Sequence, residues 1–180
     1  KYILIILCCL TSFPLWSYNV NMIVEHYSVD QGLPNNTVNC TLKDRDGFIW
    51  FGTWYGLCCC DGVKFKTFNK QEHDSDVPPR KIQRIVEDKN GYIWVKTIDR
   101  KLYVFNKVTE CFHAVYDDMK NYSENIQVIK LQNTAEGDVL LLTKDKNLLL
   151  AGVDEKGQVT IKILFDSRDE INQLDYTLKH

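Results

Sequence analysis

One ten-residue stretch occurs twice in this chain and a third time in outline. Asp44-Arg45-Asp46-Gly47-Phe48-Ile49-Trp50-Phe51-Gly52-Thr53 is matched by Asp88-Lys89-Asn90-Gly91-Tyr92-Ile93-Trp94-Val95-Lys96-Thr97. A weaker copy is Thr134-Ala135-Glu136-Gly137-Asp138-Val139-Leu140-Leu141-Leu142-Thr143. Trp94 follows Trp50 by 44 residues, and Gly137 follows Gly91 by 46. Each copy reads as a tight turn running into a short strand rich in aromatic and β-branched residues. A period of this length, worth several strands, predicts a propeller before other folds.

The residues between the copies fit that plan. In the first repeat, Val38 to Leu42, Phe48 to Thr53, Leu57 to Cys60 and Val63 to Phe68 read as four strands. Trp54-Tyr55-Gly56 and Asp61-Gly62 turn the chain between them, and Val63, Phe65 and Thr67 are expected on one face. The second repeat places strands at Lys81 to Glu87, Tyr92 to Thr97, Leu102 to Phe105 and Cys111 to Tyr116. The third places them at Ile126 to Leu131, Val139 to Thr143, Leu148 to Ala151 and Val159 to Phe165. Met22 to Val29 also suits a strand, and another is expected near Asn172 to Leu178. The expected fold is therefore all-β: a partial β-propeller of about three four-stranded antiparallel blades, at approximately 32–69, 76–116 and 125–165, plus the start of a fourth. The longer connections, 69–80 and 117–125, fall between blades, where exposed loops can carry function.

The amino terminus has a different character. Lys1 precedes an apolar run from Tyr2 to Leu10, of signal-peptide length and too short to span a bilayer. Residues 1–17 are expected to be an export leader cleaved after Ser17, leaving 18–180 as an incomplete propeller domain; a buried first strand is the alternative. Cys40, Cys58, Cys59, Cys60 and Cys111 then remain. Their spacing matches no zinc pattern, and three successive strand residues cannot converge on one metal. They are expected to be small buried apolar side chains. With 22 basic against 24 acidic side chains, the chain lacks the basic field that nucleic-acid binding needs.

The first repeat carries a recognisable signature. Gly32-Leu33-Pro34-Asn35-Asn36-Thr37-Val38, the Asp44 to Thr53 stretch, Gly56-Leu57 and Asp61-Gly62 together resemble the two-component regulator propeller repeat. That resemblance is dense over 30–68, good over 80–106 and faint beyond. It implies the periplasmic sensor of a hybrid two-component regulator, exported and held at the periplasmic face of the inner membrane. In such proteins a glycan fragment is sensed outside, and a histidine kinase, receiver and DNA-binding domain follow across a membrane helix. The oligosaccharide ligand, the remaining blades and those downstream domains are the partners implied. The propeller closes only with about four to eight blades, so the chain is expected to be either a fragment of a longer protein or a truncated reading frame.

Recurrence separates structure from recognition. Trp50 and Trp94 repeat at one strand position and are expected to pack between sheets. Thr53, Thr97 and Thr143 repeat as hydrogen-bond formers, and Gly47, Gly91 and Gly137 as turn residues at positive φ. Non-repeating residues are the better ligand candidates. If first strands line the channel, two classes of loop share a rim, carrying Asn35, Asn36, Trp54, Tyr55, His73, Asp74, Arg80, Asp99 and Arg100. Aromatics beside Asn, Asp and Arg suit an acidic or neutral glycan. Neither a catalytic constellation nor a phosphate loop is present, and His26, His73, His113 and His180 lack metal spacing. The expectation is a binding module without cofactor, metal or catalysis of its own. An exported propeller lyase or glycosidase, or a protein-interaction propeller, are the alternatives.

Overall fold

The computed structural model describes residues 24–68, 70–71, 79–120, 122 and 127–167. They form three sheets, each built on a four-stranded antiparallel meander, and the second carries a fifth strand paired parallel at its outer edge. The first contains β1 (Val38–Lys43), β2 (Ile49–Thr53), β3 (Gly56–Cys60) and β4 (Phe65–Phe68). After it comes β5 (Lys70–Gln71). The second sheet contains β6 (Ile82–Glu87), β7 (Ile93–Thr97), β8 (Leu102–Asn106) and β9 (Cys111–Ala114). A one-turn helix α1 (Tyr116–Met119) leads to the third, with β10 (Val128–Asn133), β11 (Val139–Thr143), β12 (Leu148–Val153) and β13 (Val159–Phe165). These are three blades of a β-propeller.

Each turn of the repeated stretch is closed by its first aspartate. Asp44 Oδ1 accepts from the backbone N–H of Asp46 (3.0 Å) and Phe48 (2.9 Å), while Oδ2 accepts from the Trp50 indole (2.8 Å). Asp88 makes the same three bonds to Asn90, Tyr92 and Trp94 at 3.0, 3.0 and 2.9 Å. Both carboxylates are buried. Gly47, Gly91 and Gly137 sit at φ of 93°, 87° and 82°, a region only glycine enters freely. At the far end of the strand Thr53, Thr97 and Thr143 bond the next turn: each hydroxyl reaches a backbone carbonyl of that turn, that of Gly56, Lys101 or Asn147.

The sheets stack through two apolar layers. Trp50, Phe68, Ile85, Val95, Phe105 and Phe112 fill the first, with Phe68 stacked on Trp50 at 5.4 Å between centroids and tilted on Phe105 at 4.7 Å. Val86, Trp94, Val104, Leu131, Leu141 and Leu149 fill the second. The second sheet is thus buried on both faces. Ile93 and Val95 serve one layer and Trp94 the other, because successive strand residues point oppositely. Gly52 permits the closest approach: a β-carbon there would lie 2.5 Å from Cys40 Sγ and 2.6 Å from the Ile82 side chain.

Several local expectations are corrected. Residues 24–28 form no strand; Ser28 caps a 3-10 turn, Val29–Gln31, in a reciprocal capping box with Gln31. The fourth strand starts at Phe65 rather than Val63, because Asp61 Oδ1 accepts from both Val63 and Lys64 N–H (2.8 Å each) and holds them in the turn. Val63 is therefore exposed. Phe68 fills the core layer, while Phe65 points the other way onto Tyr27 and Phe51. The strand from Cys111 ends at Ala114, where α1 buries Val115 and Met119. The connection after β4 is not all loop, since β5 pairs parallel with β9 of the next sheet. The five cysteines are free thiols; burial raises Cys58 to about 12 and Cys40 to about 11. The leader and the strand expected near Asn172 lie outside the described residues.

Trp94→Phe keeps the ring but strands one oxygen of buried Asp88. It is expected to cost about 1–3 kcal/mol in urea unfolding at unchanged m-value. A loss below about 0.5 kcal/mol would show that the indole bond carries no stability.

Candidate functional site

The two edges of the stacked sheets are built differently. One edge carries the Asp-Gly turns and is tied by side chains. Arg45 reaches across to the next sheet, where its Nε bonds Glu87 Oε1 (3.1 Å) and Nη1 the Lys89 carbonyl (2.8 Å). Lys107 bonds Asp44, Asp46 and Glu87 at 3.1, 2.8 and 2.8 Å. Lys89 pairs with Asp138 at 2.9 Å in the third sheet, and Asn133 donates to the Glu87 carbonyl. The carboxylates of Asp44, Asp46 and Glu87 come close enough together to hold a cation, and the Lys107 ammonium bonds all three. Burial opposes its charge, but the three carboxylates more than offset this and hold it above the ordinary lysine range. The same balance lowers Asp44: burial raises its pKa, while the indole N–H and Lys107 more than compensate.

A cavity of about 350 Å³ opens beside this edge between the second and third sheets, lined by Tyr92, Asn106, His113, Asp118 and Gln158. His113 Nε2 lies 2.7 Å from Asp118 Oδ2 there.

The opposite edge is joined by main chain. In each sheet the residue before the first strand accepts from the turn between second and third strands: Thr37 from Trp54 (3.3 Å), Lys81 from Ile98 (2.9 Å), and Gln127 from Lys144 (2.9 Å). Between sheets the direction reverses, as Lys81 N–H donates to Trp54 O (2.9 Å) and Val128 N–H to Arg100 O (3.0 Å). Two loop classes are thereby drawn onto one rim, and their side chains remain at the surface. Trp54 and Tyr55 are 43% and 63% exposed, and Lys81 Nζ sits 5.3 Å over the Trp54 ring. Arg80 and Asp99 are exposed. Arg100, left-handed at φ 67°, bonds the Gln127 amide oxygen at 3.2 Å.

Not every candidate is free for a ligand. Asn36 Oδ1 accepts from Val29 N–H (2.9 Å) and Asn35 Oδ1 from Thr37 N–H (2.8 Å), so both amides shape their own loop. Asp99 accepts from the Thr97 hydroxyl at 2.5 Å. Its pKa falls, because that bond and nearby Lys101 outweigh burial. His73 and Asp74 lie outside the described residues. Lys81 borders this rim unmarked by any motif, and Lys96 lies inside the repeated stretch, buried one residue before Thr97. Only the register of β6 and β7 draws attention to Lys96.

Residues 32–55 match the family described as Two component regulator propeller. Histidine kinase P4 of Formosa agariphila is 33% identical to this chain over 84 residues, covering 43% of this chain and 6% of that protein. Two crystal structures of the extracellular domain of BT4673 from B. thetaiotaomicron have a similar fold. They are described in one case as a one-component and in the other as a hybrid two-component system. Identity is 22% and 23%, with TM-scores of 0.51 and 0.52 over 77% and 79% of this chain. This chain spans 18% of each solved chain. Among the described residues, no helix is long and apolar enough to cross a membrane.

The Lys107 cluster sets a pH dependence. A lowered Asp44 stabilises the fold above the ordinary carboxylate value near ~4, and that contribution is lost as pH falls; a raised Lys107 contributes below ~10.4 and is lost as pH rises through its folded value. Stability is expected to plateau between about pH 5 and 10. Lys107→Met, which leaves three carboxylates facing one another, is expected to cost about 1–3 kcal/mol at pH 7. That cost should shrink towards pH 4 as protonation relieves the repulsion. Urea midpoints measured across pH test this, and a cost independent of pH refutes the cluster's role.

Proposed function

We propose that this chain, which carries the two-component regulator propeller repeat and builds three blades, is part of the ligand-sensing domain of a hybrid two-component regulator. Residues 1–17 act as its export leader, and residues 18–180 form part of a propeller on the periplasmic side of the inner membrane. The ligand is an oligosaccharide released from a polysaccharide. Binding alters how the propeller meets the domain that follows, and the change passes to a histidine kinase. The domain binds and relays; it does no chemistry on the sugar.

The observation that carries this reading is the rim. Trp54 and Tyr55 stand exposed beside Arg80, Lys81 and Arg100, on loops joined by main-chain hydrogen bonds. Aromatic faces accept pyranose rings by stacking, and flanking cations and amides bond hydroxyl or acidic substituents. A rim whose loops share main-chain bonds also couples sites on adjacent sheets. A ligand touching Trp54 and Arg100 together bears on how two sheets are set against each other. That is the kind of differential contact a relay needs.

Calorimetry of the intact protein's periplasmic region against an oligosaccharide panel tests the reading. At least one member is expected to bind without being turned over. Trp54→Ala, an exposed position away from the core, is expected to weaken that binding at least tenfold, about 1.4 kcal/mol, with thermal stability unchanged. Failure of every oligosaccharide to bind, or release of cleaved sugar, overturns it.

A further inference from the structure

Lys96 is a buried cation at a position where the other repeats have none. It lies opposite Arg84 in the β6–β7 ladder. The corresponding pairs are Cys40 with Gly52 in the first sheet and Lys130 with Leu142 in the third. Lys96 is 5% exposed, and its ammonium bonds the amide oxygen of Gln83 on the exposed part of β6. Among the described residues no carboxylate pairs with Lys96, Arg84 or Arg100. Among these residues the Arg100 side chain bonds only that of neutral Gln127, and the Arg84 side chain makes no hydrogen bond or ion pair.

Burying an ammonium without a counter-charge is costly, and like charges facing across a ladder add to the cost. Consistent with this, desolvation, and then the Arg100 guanidinium, push Lys96 below the ordinary lysine range. The packing role alone is met more cheaply by the residues at the equivalent positions, Gly52 and Leu142. A lysine here makes sense if its counter-charge arrives from outside.

We infer that Lys96, flanked by Arg84 and Arg100, is a seat for an anionic group, a carboxylate or sulfate carried by the ligand that this domain senses. The seat adjoins the Arg100–Gln127 contact of the rim, so one end of a ligand stacked along that rim reaches it. The inference rests on the glycan-sensing reading for the ligand's identity, but the anion seat itself does not.

Two measurements separate the two. Thermal unfolding of the intact protein in sodium sulfate against sodium chloride at matched ionic strength reads the seat alone. Sulfate is expected to raise the Tm of the wild type and not that of Lys96→Met, which removes an uncompensated charge and so keeps the fold. Arg84→Gln, at an exposed position, is expected to lose part of the shift. Equal sulfate shifts in wild type and Lys96→Met overturn the seat. Calorimetry with trigalacturonate, a sulfated galactose disaccharide and uncharged galactotriose then reads the ligand. At least one charged sugar is expected to bind tenfold more tightly than galactotriose and to lose that advantage in Lys96→Met; which one binds distinguishes carboxylate from sulfate. Binding of galactotriose alone, or charged-sugar binding indifferent to Lys96→Met, overturns the inference and leaves glycan sensing standing. A sulfate shift, with neither these sugars nor any member of the wider oligosaccharide panel bound, upholds the anion seat and overturns glycan sensing.

Discussion

The hydrogen bond from a tryptophan indole to the aspartate six residues earlier joins two things the fold must solve together. The aspartate closes the turn with one oxygen and holds the indole with the other. The indole carries the interlayer packing on its ring. Turn geometry and sheet stacking are therefore set by one buried carboxylate, which needs all three donors to be tolerated away from water. The third repeat shows how strictly the pieces belong together. Thr134 stands for the aspartate and Leu140 for the tryptophan. The threonine hydroxyl still accepts from Asp138 N–H (3.1 Å), closing the turn without a charge. An aspartate kept there without the indole would be a half-buried carboxylate short of a donor.

A division of labour between the two edges follows. On the Asp-Gly edge, charged side chains cross from sheet to sheet and are consumed in doing so: Arg45, Lys89 and Lys107 all have carboxylate partners. On the other edge the main chain makes the crossings, through Lys81 to Trp54 and Val128 to Arg100. Some side chains there still bond across sheets, Asn39 to the Ile82 carbonyl and Arg100 to Gln127, but Trp54 and Tyr55 stand exposed beside them.

Much of this was legible in the sequence, for an identifiable reason. Asp46-Gly47, Asn90-Gly91 and the runs that follow are local signals, and strand alternation is local too. Hence β11 (Val139–Thr143) and β13 (Val159–Phe165) coincide with the strands expected there. What escaped was set by partners that sequence distance hides. Ser28 and Gln31 satisfy one another across a 3-10 turn, so an apparent β run becomes a cap. Val63 and Lys64 drop out of the expected fourth strand because Asp61 holds their N–H groups in the turn. The rim candidates Asn35 and Asn36 look available until their loop bonds are seen. Lys96 reads as an ordinary polar strand residue until its register neighbour proves to be an arginine.

The two-residue strand β5 has a mechanical consequence. The chain leaving the first sheet does not pass directly to the second sheet's inner strand; it first hydrogen-bonds along β9, at that sheet's outer edge. The first two sheets are thus fastened at the outer perimeter as well as through their shared layer of aromatic rings. Splaying them apart would peel Lys70 and Gln71 from Cys111 and Phe112. No such perimeter strand joins the second and third sheets among the described residues; they are held by the apolar layer around Trp94, by Lys89–Asp138 and Asn133–Glu87 contacts, and by main-chain bonds from Lys89 to Gly137 and Val128 to Arg100. The first seam is therefore fastened along its outer perimeter and the second at its edges, and the uncompensated lysine belongs to the sheet that both seams share.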